Sequence, residues 1–106
     1  MPKYLLHVSY TLDGVRGLLA QGGTAREAAA RAAAESVGGT MESFHFAFGE
    51  TDVYVMGDFP DHASAAALAL AVSAAGGATV RTTVLLTPAE VDAAAAKQVS
   101  YRPPGS

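Results

Sequence analysis

Apolar and polar side chains alternate from the start of the chain. In residues 3–10, Tyr4, Leu6, Val8 and Tyr10 fall on one side and Leu5, His7 and Ser9 on the other, which predicts a strand. Asp13-Gly14 is expected to end it. Residues 15–37 read as helix with a break at Gly22-Gly23. Thr24 with Glu27 three residues on has the form of a capping box, so the main helix is expected to restart there. Glu27, Arg31 and Glu35, four apart, form a solvated charged stripe, alanines cover the rest, and Gly38-Gly39 supply the stop.

Alternation returns at residues 40–48. Phe44, Phe46 and Phe48 point one way and Met41, Ser43, His45 and Ala47 the other. Gly49-Glu50-Thr51-Asp52 predicts a four-residue hairpin loop, and residues 53–59 the return strand. That loop sets Ser43 opposite Asp58, His45 opposite Met56 and Ala47 opposite Tyr54. Pro60 breaks the strand, Asp61 is a good N-cap for a helix over residues 62–75, and Gly76-Gly77 end it. A fourth strand follows at 79–86. Thr87-Pro88-Ala89-Glu90 is a second capping box, opening a short helix to about residue 99. One domain over residues 1–99 is expected, with 100–106 as a flexible tail.

The order β-α-β-β-α-β plus a terminal helix is the ferredoxin-like arrangement. It predicts an α+β fold, a four-stranded antiparallel sheet with both main helices on one face. Because those helices are built mostly of alanine, core volume has to come from the sheet. Leu6, Val8, Phe44, Phe46, Phe48, Val53 and Val55 supply it, and Phe46 is expected to be buried. On the helix over 62–75 the inner stripe is read as Ala63, Ala67, Leu70 and Ala74. Leu68 and Val72 would then be covered by the terminal helix through Ala93–Ala96.

The opposite sheet face is mixed. It carries His7, His45, Tyr54, Met56, Asp58 and Arg81 among small and apolar residues, which suits a ligand floor or a subunit interface better than bare solvent. Composition narrows the field. Half of the 106 residues are hydrophobic, 23 are alanine and only 16% are charged, so the chain is not intrinsically disordered. Seven basic residues against ten acidic ones give a net charge of -3, which argues against a nucleic-acid partner. The absence of cysteine excludes disulfides, a thiolate nucleophile and Cys-ligated metals. Met1-Pro2-Lys3 has no signal-peptide layout, and the charge-free stretch 63–80 is interrupted by Gly76-Gly77. The expectation is a cytoplasmic protein with no membrane partner. No Gly-rich phosphate loop opens a helix, and no hydrolase elbow occurs.

Four pieces resemble the GYD-domain family, within the dimeric α+β barrel superfamily. They are the opening strand with Thr11 and Gly14, the Gly49-Glu50-Thr51-Asp52 turn, the Pro60-Asp61 junction into an Ala/Leu helix, and the Val80-Arg81-Thr82-Thr83 strand. The resemblance covers about residues 3–92. The family's name-giving turn usually reads Gly-Glu-Tyr-Asp, and Thr51 stands here in place of the Tyr. The resemblance implies a homodimer whose sheets face each other around a central cavity. It fixes no reaction: the wider superfamily includes cofactorless monooxygenases, isomerases, muconolactone-type enzymes and haem-binding proteins.

His7 and His45 are the candidate proton-transfer groups. Their strands are expected to lie two spacings apart, about 9–10 Å, too far for one zinc ion to bind both. Arg81 and Tyr54 would hold the polar end of a ligand, Met56 would line the apolar part, and Asp58 would orient a His or pair with Arg81. Glu50 has no turn role and is placed at the cavity mouth or against the partner subunit. His62, in the first turn of a helix, is expected to be exposed and neutral. These residues support three functions: a homodimeric small-molecule-binding protein that extends to cofactor-independent catalysis, a non-catalytic oligomerisation module, or haem binding through one His. The first needs no cofactor.

Overall fold

The computed structural model describes all 106 residues. Strand β1 (Lys3–Tyr10) leads directly into α1 (Leu12–Gln21) and α2 (Gly23–Ser36). Then come β2 (Thr40–Phe46), β3 (Val53–Asp58), α3 (His62–Ala74), β4 (Ala78–Leu85) and α4 (Pro88–Ala95). The four strands form one antiparallel sheet in the order β2-β3-β1-β4, the ferredoxin-like topology.

Asp13-Gly14 does not end β1. Thr11 caps a helix that begins at Leu12, its hydroxyl accepting from the Gly14 N–H at 3.2 Å and donating to Gly76 O at 2.8 Å. Gly14 is needed for close approach: a Cβ there would stand 1.9 Å from Gly77 O. The break between α1 and α2 lies at Gly22, whose φ of 87° suits glycine. Gly22 itself is the N-cap of α2 and no side chain caps it, so the Thr24–Glu27 capping box does not form. The Asp61 cap and the Thr87–Glu90 capping box do form, the latter opening a helix that ends at Ala95.

The hairpin departs from expectation in two ways. Its loop spans residues 47–52, closed by a 2.8 Å hydrogen bond from Ala47 N–H to Asp52 O. His45 therefore opposes Tyr54 and Ser43 opposes Met56, a shift of two residues. An even shift keeps every side chain on its face. A bulge between Met41 and Ser43 does not. Glu42 is the extra residue, so Met41 turns inward opposite Gly57 and joins the core at 3% exposure.

The core gathers Tyr4, Leu6, Val53, Val55 and Phe59 from the sheet side with Met41, Ala34 and Ala65. The aromatic run of β2 contributes less than expected. Phe44 is half-buried, Phe46 is 44% exposed against Gly23, and Phe48 stands free in the loop. Helix α3 is rotated relative to the expected stripe. Ala65 is buried and Leu68, Ala69 and Val72 turn toward the sheet, whereas Ala63, Ala67, Leu70 and Ala74 are exposed. Helix α4 does not cover Leu68 or Val72: every residue from Leu86 onward is exposed. Because α2 and α3 present alanines to the sheet, a cavity of about 120 Å³ remains between the two layers.

Candidate functional site

The uncovered sheet face is organised in rows set by strand register. Reading across β2, β3, β1 and β4, one row is His45, Tyr54, His7 and Arg81. The next is Ser43, Met56, Leu5 and Thr83. Alternation on extended strands puts all eight side chains on the face opposite the helices. Five expected site residues are thus brought together: His7, His45, Tyr54, Met56 and Arg81.

His7 is the most constrained of them. Its Nε2 lies 3.1 Å from Thr83 Oγ1, and its ring meets Tyr54 edge to face with centroids 5.3 Å apart. The Thr83 hydroxyl can donate to the neutral ring or accept from it, so it fixes ring orientation in either tautomer. His45 is exposed near the end of an edge strand, with Tyr54 between it and His7. No group of three or more His, Asp or Glu side chains is placed to hold a metal ion. Arg81 is exposed, and its Nη2 reaches Thr51 Oγ1 at 3.5 Å, a long contact.

Asp58 is placed elsewhere. It lies opposite Lys3 and binds that ammonium at 3.2 Å, with Glu42 as the second carboxylate. Lys3 and His7 are four positions apart along β1, about 13 Å of strand, so Asp58 does not orient His7 or pair with Arg81 within the chain. Hydrogen bonds to Glu42 and then Asp58 hold the Lys3 ammonium above its ordinary range. Glu50 is exposed in the hairpin loop.

Two contacts escaped sequence reasoning. Asp52 does more than shape its turn: its carboxylate accepts from Tyr10 N–H at 2.7 Å and its own N–H donates to Val8 O at 2.9 Å, latching the loop to β1. The partner lies 42 residues away, beyond any local signal. His62 is exposed as expected, yet its Nδ1 lies 2.6 Å from the hydroxyl of buried Tyr4. Thr51, in the Tyr position of the family turn, is buried at 3% exposure.

The GYD domain family matches residues 4–95. The chain belongs to that family. Within this GYD domain the matched span runs from β1 through the last residue of α4, so both the rows and the hairpin loop fall inside it. No curated protein and no solved structure matches the chain significantly. No helix of the GYD domain is long and apolar enough to cross a membrane.

Proposed function

We propose that this GYD-domain protein works as a homodimer that pairs its uncovered sheets and holds a small, largely apolar or aromatic molecule between them. The supporting observation is the in-register row His45–Tyr54–His7–Arg81 on a face that no helix covers. Leu5 and Met56 supply an apolar floor beside it. Arg81 and Tyr54 take the polar end of the ligand, the guanidinium favouring a carboxylate or enolate. His7 is the proton-transfer group for cofactor-independent chemistry, with His45 second, because Thr83 and Tyr54 fix the His7 ring. Glu50 sits at the cavity mouth, and Asp58 closes the far end of the face through Lys3.

The same satisfied contacts of His7 also suit a purely structural subunit interface, which is the second reading. Sedimentation at micromolar concentration separates both from a monomer: a dimer mass is expected, and Leu5→Asp should shift it toward the monomer. A monomeric wild-type protein would end both readings. A cavity of ligand size between the paired sheets, occupied and lost on Arg81→Ala and Tyr54→Phe, separates the first from the second.

A further inference from the structure

The opposite side of the sheet carries a separate feature. On α2, Arg26 is followed by Ala29, Ala30, Ala33 and Ala34 at the three-and-four spacing of a single helix face. That face lines the cavity of about 120 Å³, with Leu68 and Val72 of α3 on the other flank. Native interiors hold few voids larger than one water molecule. Water fills such a void only when two to four polar partners line it, and apolar cavities of about this size stay dry and admit benzene-sized molecules. Here nearly every lining residue is apolar, and the single charged one is Arg26 at the start of the stripe.

Arg26 also borders a wider groove between α1, α2 and α3, which shares Ala33, Leu68 and Val72 with the cavity and so gives a route in. Arg26 as a residue is half-buried, and both ion pairs of the molecule belong to Lys3, not to Arg26. Asp13 lies along the same groove without pairing with it.

We infer that this cavity is a binding site for a monocarboxylate with a short apolar body of about five carbons, within the size of guest such a cavity admits. The body lies between the alanines of α2 and the sheet, and the carboxylate meets Arg26, whose fork matches it in two hydrogen bonds. A single guanidinium balances one carboxylate and would leave a second negative charge unpaired against the apolar lining. The site is on the helix side and does not depend on how the sheets pair.

Hexanoate and hexan-1-ol titrated into the full chain, followed by amide NMR, test this. Saturable shifts are expected at Ala30, Ala33 and Val72, with none at His7 or Tyr54. Arg26→Gln should weaken hexanoate about tenfold or more, the worth of a charge-assisted hydrogen bond, and leave hexanol within about twofold. Ala33→Leu should abolish both and raise the melting temperature by filling the void. No saturable binding to the wild type, equal hexanoate affinity in Arg26→Gln, or shifts confined to His7 and Tyr54 would each overturn the assignment. The last result would leave the inter-sheet ligand reading standing.

Discussion

Tyr4 and His62 form a link between the first strand and the start of α3: phenol oxygen and imidazole Nδ1 are 2.6 Å apart, with the rings edge to face at 5.8 Å. Tyr4 is 1% exposed, so His62 is the partner that satisfies its hydroxyl.

Removing that partner should be costly. His62→Ala leaves a buried hydroxyl unpaired and should destabilise the fold by about 1–3 kcal/mol. Tyr4→Phe removes the hydroxyl and leaves an exposed imidazole to water, so it should cost less, about 0.5–1.5 kcal/mol. In a Tyr4→Phe background the His62→Ala penalty should largely vanish. Urea unfolding of the four proteins measures the cycle, and additive effects would show that the bond contributes nothing.

Gly14 cannot accept a side chain. Gly14→Ala drives a methyl into Gly77 O, where the gap is 1.9 Å, and α1 must move off the β4 entry. A loss of roughly 1–3 kcal/mol is expected, read as a fall in melting temperature. Gly17→Ala, on the same helix with open space around it, should be neutral or stabilising.

Two phenylalanines should differ sharply. Phe59 is 1% exposed and Phe59→Ala should cost about 3–5 kcal/mol. Phe46 is 44% exposed and Phe46→Ala should cost about 1–2 kcal/mol, in proportion to the area it hides. Equal losses in chemical denaturation would mean that Phe46 packs deeper than the structure places it.

Acid should act on α3 through its cap. Hydrogen bonds from Ser64, first from its side chain and then from its backbone, hold the Asp61 carboxyl below its ordinary value of 3.8. A lowered folded-state value means stability that is present above about pH 4 and lost as pH falls through the folded-state value. Wild type should therefore melt above Asp61→Asn at neutral pH, and the two curves should converge well below pH 3.8. A gap that persists at pH 2 would show that the charge is not what the cap contributes.

The elements and the choice of sheet face were legible because their signals are local. Alternation places Leu6, Val55 and Phe44 on one face and His7, Tyr54 and His45 on the other, and Asp61 and Thr87 announce their helices. The two-residue error in the hairpin left this intact, since an even shift preserves faces. What stayed hidden has no local mark. One extra residue at Glu42 turns Met41 inward. Helix α3 is apolar all round, so its sequence carries no direction, and its buried side is chosen by packing instead. The Lys3–Asp58 pair is set by register across 55 residues, and the Arg81 environment by a fold-dependent approach of Thr51.

The bulge at Glu42 also bears on how the sheet can grow. It sits in β2, one of the two edge strands, where it bends the backbone and places a charged residue out of register. A foreign strand cannot pair along that edge without breaks. Strand β4, with eight regular residues, is the one receptive border. Open-ended ribbons need two such borders on every chain, whereas a two-fold closure needs one. Edge-to-edge contact between copies would thus terminate at a pair, and fibrillar propagation is disfavoured by a single inserted residue.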